Sequence, residues 1–321
     1  MRLRSGCLLG LLWLALAVPQ AFAAGDDYPQ RQIKIIVPFP GGAGPDQVAR
    51  QVGKHLQDAF GQPVVIENRA GALGSIGAAE VAHAAPDGYT LVMGTNTTHA
   101  SNVATLKNPG YDPARDFAPI IRTTTTAMVL LVKPDFPAKD LSQFLAYARA
   151  QKNLTGGYGS GASQISVAQL QSRGGVSLVA ASYRGVPLAM TDVMAGVIDL
   201  TFGDFSVAIP QMQGGTLRGI GVTSPRRNEL LPDLPALAEA MPGFESTIWY
   251  GLLAPAGTPA AIVNKIHDET EKFLNMPETK KRFADVGVIV ATQTPAEFGD
   301  FIKSEIMRWG EACKAAGIEP Q

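Results

Sequence analysis

Cysteine is scarce in this chain. Only Cys7 and Cys313 occur among the 321 residues, and Cys7 lies in an N-terminal segment that we expect to be removed. A mature chain with a single cysteine forms no intramolecular disulfide, so its stability has to come from apolar cores. A chain of this length buries large cores and divides more readily into two lobes than into one.

The chain also lacks an excess of charge of either sign. It has 27 Lys and Arg residues against 28 Asp and Glu residues, for a formal net charge of -1. No basic stretch is interleaved with aromatic residues, as an electrostatic surface for phosphate backbones would require. We therefore expect no nucleic-acid partner.

Motifs of metal sites and of common enzymes are missing as well. There is no Gly-x-Ser-x-Gly nucleophile elbow and no Gly-x-x-x-x-Gly-Lys phosphate loop. We predict neither a metal nor an organic cofactor, and no enzymatic activity. The histidines, which lack metal-ligand spacing, are His55, His83, His99 and His267.

A long uncharged apolar run occurs only near the N-terminus. It extends from Cys7 to Val18, follows two arginines and precedes the small-residue segment that ends at Ala23. This pattern predicts a secretory signal peptide over residues 1–23, and therefore a periplasmic protein. The run is too short for a membrane span. Lipidation of Cys7 is disfavoured because this cysteine stands at the start of the run and not after it.

The stretch from Ile33 to Arg50 is the most informative part of the mature chain. An apolar run of strand length, Ile33 to Val37, enters a loop of prolines and glycines that opens onto apolar residues at helical spacing. Such a strand, turn and helix place backbone N–H groups and the positive end of a helix dipole beside a buried strand. These groups hold an anion without a basic side chain. We interpret this stretch as one wall of a ligand site.

Strands and helices alternate along the rest of the chain. This alternation predicts an α/β fold in which each lobe is a mostly parallel sheet flanked by helices, with a ligand cleft between the lobes. A final strand near Trp249 and two helices, roughly 259–274 and 295–316, are expected to return to the first lobe. The predicted division is 24–122 plus 247–321 for lobe 1 and 123–246 for lobe 2.

Four of the predicted strands end in small or polar residues. Ligands in open α/β sheets bind beyond the carboxyl ends of the strands, so we interpret these ends as loops that face one another across the cleft. For each loop alone, ordinary turn chemistry is the better explanation. The four together favour a site, and they are Phe39–Ala43, Thr95–Thr98, Ser160–Ser163 and Asp204–Ser206.

Several other residues have two interpretations. Gly157–Ala162 matches the loose Gly-x-Gly-x-x-Ala dinucleotide fingerprint, but the next strand ends at Tyr183 without an acidic residue for a ribose, so we treat the match as chance. Arg184 either clamps a carboxylate or satisfies carbonyl groups at the strand end. Trp249 and Tyr250 either stack on a ligand or, as we favour, pack in a core or a domain interface.

Short motifs are spread in order along the whole mature chain. They are Ile35–Gly42 with Asp46, Ala49 and Arg50, then Val65–Gly71, Ile76–Ala78, Pro86–Leu91, Tyr111–Pro113, Asp116–Phe117, Tyr183–Gly185, Val222–Ser224, Leu231–Pro235 and Gly251–Pro259. As a collinear set they resemble the Bug receptors, the periplasmic solute-binding components of tripartite tricarboxylate transporters. Each motif alone is weak.

This resemblance implies a two-lobed, type II-like periplasmic binding protein that closes over a small mono- or dicarboxylate. It implies recognition by backbone amides and hydroxyls, often through water, and a membrane partner that is either the permease of a tripartite transporter or a sensor. We expect a monomer. The candidate ligand-binding residues are Phe39, Gly41, Gly42, Ala43, Thr95, Asn96, Ser160, Ala162, Ser163 and Asp204.

The chain departs from the family pattern in two loops. Aligned on Asp46, Ala43 stands where a second glycine is usual, and the loop Gly159–Ser163 looks shorter than usual. Ile165 stands where a histidine is common. Because these changes would resize the pocket, the ligand is not transferable from relatives.

Asp204 is the one acid in the proposed loops, which contain no cluster of Lys or Arg. We hypothesise that it discriminates among ligands, by contacting an amine or a hydroxyl or by repelling a second carboxylate. The alternative functions are a receptor that signals to a membrane sensor and, less favoured, a secreted α/β enzyme that uses the same cleft.

Overall fold

The computed structural model describes residues 28–320, so the predicted signal peptide lies outside the described residues. The described chain forms eleven strands in two sheets. In chain order they are β1 (Ile33–Val37), β2 (Val64–Asn68), β3 (Thr90–Thr95), β4 (Phe117–Thr126), β5 (Met128–Val132), β6 (Leu154–Tyr158), β7 (Leu178–Ser182), β8 (Leu200–Asp204), β9 (Arg218–Val222), β10 (Ile248–Pro255) and β11 (Ile289–Gln293). The first sheet has the order β11-β4-β10-β3-β1-β2, and the second has the order β7-β6-β8-β5-β9.

Ten α-helices accompany these strands. They are α1 (Gly44–Phe60), α2 (Ser75–Ala82), α3 (Asn102–Thr105), α4 (Leu141–Ala150), α5 (Gly161–Gly174), α6 (Val186–Ala195), α7 (Phe205–Gln213), α8 (Ala260–Asn275), α9 (Pro277–Ala284) and α10 (Pro295–Ala315). Both α8 and α10 pack against β4 of the first sheet. A π-helical turn, Thr97–Ser101, joins β3 to α3.

Both sheets are mixed. In the first, β1 pairs in parallel with β2 and β3, whereas β10 pairs antiparallel with β3 and β4. In the second, β6 pairs in parallel with β7 and β8, whereas β5 pairs antiparallel with β8 and β9. The predicted two-lobed α/β class is confirmed. In each sheet most strands run in one direction, and the antiparallel pairings come from β10 and β11 in the first sheet and from β5 in the second. Parallel neighbours need a crossover within one sheet, and β5 and β10 each follow a strand of the opposite sheet.

The chain passes between the sheets twice. The first passage, from β4 to β5, is a single residue, Ala127, and the second connects β9 to β10. The lobe boundaries after residues 122 and 246 stay a prediction. Strand β4 runs in the first sheet through Thr126, and β10 begins at Ile248.

The strands that lead to the cleft are buried on both faces. Every residue of β5 is buried, and Ile33, Ile35, Ile36 and Val37 of β1 are fully inaccessible to solvent. Such strands form continuous apolar runs because neither face meets water. Their burial fixes the point at which each chain segment leaves its sheet, and so places the loops of the site.

Two elements near the C-terminus were not predicted. Strand β11 lies at the edge of the first sheet and Ile289, its first residue, is exposed, so the segment lacks a clear apolar pattern. Helix α9 is short and rich in Lys and Arg.

Cys313 is buried in α10. Within residues 28–320, no helix combines the length and the apolar character needed to cross a membrane.

Candidate ligand-binding site

A cleft lies where the loops of the two sheets meet, and it encloses about 390 Å³ when the space open to solvent is included. From the first lobe it is lined by Phe39, Ala43, Gly44, Pro45, Thr95, Asn96, Thr97, Ile248 and Tyr250, and from the second by Gly159, Ser160, Ala162, Val186, Pro187, Asp204 and Val207.

Seven of the ten candidate residues line this cleft. They are Phe39, Ala43, Thr95, Asn96, Ser160, Ala162 and Asp204. The other three do not line it: Gly41 and Gly42 are exposed, and Ser163 is buried below the second loop. The four strand ends selected from the sequence therefore do converge, and each contributes to the wall of the cleft.

Four helices begin at the cleft. Their first residues are Gly44 of α1, Gly161 of α5, Val186 of α6 and Phe205 of α7. The N-terminus of a helix carries free N–H groups and a partial positive charge. One of the four, α6, begins outside the loops predicted from the sequence. The combined field of the four N-termini favours an anion in the cleft.

The first loop, residues 38–43, is held from behind by Asp46. Its carboxylate accepts hydrogen bonds from the backbone N–H of Gly42 at 2.8 Å, from Arg50 Nε at 2.9 Å and from Asn68 Nδ2 at 2.9 Å. Asn68 Nδ2 also donates to the carbonyl of Phe39 at 2.9 Å. Burial of Asp46 opposes ionisation, but these hydrogen bonds outweigh it and lower the pKa of the carboxyl. The loop is thus braced by a negative charge.

The second loop, residues 159–163, is held by its own hydroxyls. Ser163 Oγ accepts from the backbone N–H groups of Gly159 and Ser160, each at 3.0 Å, and donates to the carbonyl of Ser160 at 2.9 Å. In return, Ser160 Oγ accepts from the Ser163 N–H at 3.2 Å, which closes a capping box at the start of α5. Ser163 was a candidate ligand contact, and the structure shows its hydroxyl engaged within the loop.

Asn96 contributes polar atoms that lack partners in the protein. Its residue surface is only 1 % exposed, and neither Oδ1 nor Nδ2 of its amide makes a hydrogen bond. The turn around it is ordered by Thr95, whose Oγ1 accepts from the Thr97 N–H at 3.1 Å. A buried amide without partners costs about 1–3 kcal/mol. Because Asn96 lines the cleft, a bound oxygen atom there would relieve this cost.

Asp204 and Tyr250 meet across the cleft. Tyr250 Oη donates a hydrogen bond to Asp204 Oδ2, and both residues are buried. Burial raises the pKa of Asp204 to about 6, and the hydrogen bond from Tyr250 limits that rise. A Cβ atom on Gly44 would overlap both Tyr250 Oη and Asp204 Oδ2. The start of α1 therefore has room only for glycine beside this pair.

Comparison with known proteins identifies the family to which the chain belongs. Residues 48–318 match the model of the tripartite tricarboxylate transporter family receptor. The chain belongs to this family. Protein BugT of Bordetella pertussis is 30 % identical over 314 residues, which cover 96 % of each chain.

Two solved structures resemble this receptor over most of its length. R. palustris Rpa4515, solved with adipate, has a TM-score of 0.89 and 32 % identity, and the match covers 92 % of this chain and 100 % of the other. MatC from Rhodopseudomonas palustris, solved with bound malate, has a TM-score of 0.83 and 32 % identity, covering 89 % and 99 % of the two chains. The fold is therefore that of the Bug-type periplasmic binding proteins.

The two lobes of the receptor also touch beside the ligand space. Thr97 Oγ1, on the first lobe, accepts a hydrogen bond from the N–H of Gly161 at 3.1 Å. On the other side, a Cβ on Gly185 would lie 2.5 Å from Cδ of Pro40. The two lobes therefore contact each other directly at these two places.

Sequence reasoning missed part of this wall. Trp249 packs in the first lobe and donates to Glu305 Oε2 at 2.8 Å, as the core interpretation requires. Its neighbour Tyr250 faces the cleft and contacts Asp204 of the second lobe, a position that agrees with the domain-interface interpretation but that was not among the candidate ligand contacts. Successive side chains of a strand point to opposite faces, so Trp249 and Tyr250 of β10 had to face different surroundings. This alternation was the signal by which the sequence could have identified Tyr250. Arg184 is exposed and does not line the cleft.

Within the described part of the receptor, no group of three or more His, Cys, Asp or Glu residues is placed to hold a metal ion.

Proposed function

We propose that this receptor captures a small organic mono- or dicarboxylate in the periplasm and presents it to the membrane subunits of a tripartite transporter, without chemical conversion. The observation that carries the proposal is the convergence of four helix N-termini on one cleft whose lining contains no Lys or Arg. Backbone N–H groups and dipoles hold carboxylates in such a setting. Adipate and malate, bound by two relatives of similar fold, belong to the same chemical class.

The proposed contacts follow from the lining of the cleft. The seven candidate residues that line it would meet the ligand, and the unpaired amide of Asn96 would donate to a carboxylate oxygen. Gly41, Gly42 and Ser163 would act on the ligand indirectly, by keeping the two loops in place. These assignments are supported by position and by unsatisfied hydrogen-bonding capacity.

The ligand would stabilise the closed arrangement because it contacts both lobes at once. A ligand with differential affinity for the closed form shifts the population of lobes towards that form. The membrane subunits would then recognise the closed receptor. The hydrogen bond between Thr97 and Gly161, which joins the two lobes, supports this proposed step.

A thermal-shift screen of organic acids on the purified mature protein tests the proposal. A ligand at 100 times its dissociation constant should stabilise the protein by about 2.7 kcal/mol. Replacement Asn96→Ala should weaken binding of the best acid by about tenfold or more, since one buried hydrogen bond to an anion is lost. The matched control is Asn275→Ala, at the exposed end of α8, which should bind normally. Absence of a shift with every carboxylate would contradict the proposal.

A further inference from the structure

Asp204 is an unexpected residue in a site for anions. Apart from the hydroxyl of Tyr250, its carboxyl is the only ionisable group among the residues that line the cleft. It is 8 % exposed and lies at the junction of β8 and α7, where four helix N-termini converge. A second carboxylate entering this space would meet a fixed negative charge at short range, in a medium that screens poorly.

Charged groups on the first lobe do not neutralise Asp204. Tyr250 is the only titratable residue of β10, and it donates a single hydrogen bond. The first turns of α1 bring Asp46 and Arg50, which form an ion pair with each other at 2.9 Å. His99, in the turn after β3, is neutral because complete burial lowers its pKa to about 3.

Elements of the second lobe provide no cation either. Strand β5, which pairs with Asp204 through Met128, and helix α7 contain no titratable residue. Helix α6 carries Asp192, whose Oδ2 accepts from the hydroxyl of Tyr183 at 2.7 Å. Strand β6 ends in Tyr158, and the first three turns of α5 contain no charged residue. Among residues 28–320, Asp204 thus has no counter-ion, and the side chain that donates to it is the neutral hydroxyl of Tyr250.

We propose that the receptor binds its organic anion together with one proton, which Asp204 takes up from solvent as the ligand enters. This inference rests on the proposed carboxylate-binding function. Oδ2 of Asp204 already accepts from Tyr250, so the added proton lies on Oδ1, and the neutral carboxyl becomes a hydrogen-bond donor for the ligand. The balance is one solvent proton consumed for each ligand bound, and one released when the ligand leaves.

The free protein is prepared for this uptake. Burial already raises the pKa of Asp204 to about 6 without a ligand. At neutral pH the free carboxyl is mostly ionised, and a neighbouring anion raises its pKa further because like charges disfavour the ionised form. A neutral, buried carboxyl that donates a hydrogen bond to an anionic oxygen satisfies both groups. An ionised one repels it.

Calorimetric titration with malate and with adipate tests the inference. Performed at pH 7 in two buffers of different ionisation enthalpy, it should reveal uptake of about one proton for each ligand. Between about pH 6.5 and about pH 8, where the ligand itself stays ionised, affinity should fall by up to about tenfold for each pH unit. Infrared difference spectra should show a new protonated-carboxyl band on binding.

Two variants assign the proton to Asp204. Asp204→Asn should bind with no proton uptake, no new carboxyl band and an affinity independent of pH. Tyr250→Phe removes the donor that favours the ionised form, so the free carboxyl is protonated at higher pH and the uptake at pH 7 becomes smaller. The matched control is Asp300→Asn, an exposed acid of α10, which should keep the full uptake.

The outcomes separate this inference from the function on which it depends. Binding of an acid without proton uptake overturns the inference alone and leaves the receptor function intact. A marked preference for ligands with an ammonium group, again without uptake, does the same and makes Asp204 a counter-ion for a ligand cation. Failure to bind any carboxylate overturns both. If Asp204→Asn does not fold, an uptake in Tyr250→Phe equal to that of the parent protein counts against the inference.

Discussion

The two loops that face each other across the cleft are each held in a fixed position at the start of a helix, but by different interactions. The first, residues 38–43, is braced by the ionised carboxylate of Asp46, which joins a loop amide, a guanidinium and a side-chain amide. The second, residues 159–163, is braced by Ser160 and Ser163 through neutral hydroxyls within five residues of chain. Both solutions present a helix N-terminus to the same space.

The two loops differ in the charge that they bring near the ligand. The carboxylate of Asp46 lies near the start of α1, but its ion pair with Arg50 offsets its negative charge. The hydroxyl brace adds no charge at all. Each loop therefore leaves the positive end of its helix available to an anion, while only the first loop is sensitive to acid.

Removal of the charged brace should have the largest effect. Asp46→Ala should lower the free energy of unfolding by about 2 kcal/mol, because a buried acceptor of three hydrogen bonds is lost. Urea denaturation measures this change. The control is Asp58→Ala, in the exposed i,i+4 pair with Lys54 on the same helix, which should change stability by less than about 0.5 kcal/mol. Equal losses in the two variants would show that the brace is an ordinary surface ion pair.

Removal of the hydroxyl brace should cost less. Ser163→Ala leaves the N–H groups of Gly159 and Ser160 without their acceptor and should lower the free energy of unfolding by about 1 kcal/mol. Ligand affinity should fall as well, because the start of α5 loses its fixed position. Ser172→Ala, near the exposed end of the same helix, provides the control. A stable variant with normal affinity would mean that the loop is held by packing alone.

The smallest effect, a dependence on pH, distinguishes the two braces most sharply. Hydrogen bonds from Arg50, Gly42 and Asn68 outweigh burial and lower the pKa of Asp46 in the folded protein. Its stabilising contribution is complete above the pKa of the unfolded chain, about 4, and is lost as pH falls through the folded value. The stability gap between the parent protein and Asp46→Asn should therefore shrink below about pH 4. The gap for Ser163→Ala should stay constant, and a parallel decline of both gaps would refute the assignment.

Much of the fold could be predicted because its strands are buried on both faces. Apolar runs such as Met128–Val132 leave few alternatives to a central strand, and such runs predicted the strands through β10 in the correct order, whereas the exposed edge strand β11 lacks this pattern. Pairing direction was not accessible in the same way. It depends on which sheet the preceding strand occupies, and the single-residue passage at Ala127 carries no local signal of that choice.

The sequence predicted the parts of the site that follow the ends of strands, but it did not predict the part formed by β10. The sequence identifies three of the residues, because each is a polar residue at the end of a predicted strand: Thr95, Ser160 and Asp204. Tyr250 is not identified in this way, because an aromatic residue inside a buried strand is compatible with core packing, and only the tertiary structure places its hydroxyl against Asp204. Ser163 was predicted to contact the ligand because the sequence alone does not show whether a hydroxyl already bonds to the backbone at the start of a helix.

The buried thiol of α10 has a practical consequence for spectroscopy. Cys313 is 1 % exposed, and burial raises the pKa of its thiol to about 11, so it forms almost no reactive thiolate at neutral pH. Cys7 belongs to the segment that we predict to be cleaved. Cysteines introduced on exposed helices of the two lobes would therefore accept maleimide dyes over a silent background, and the distance between the dyes would report lobe closure in single molecules without any change to the native chain's core.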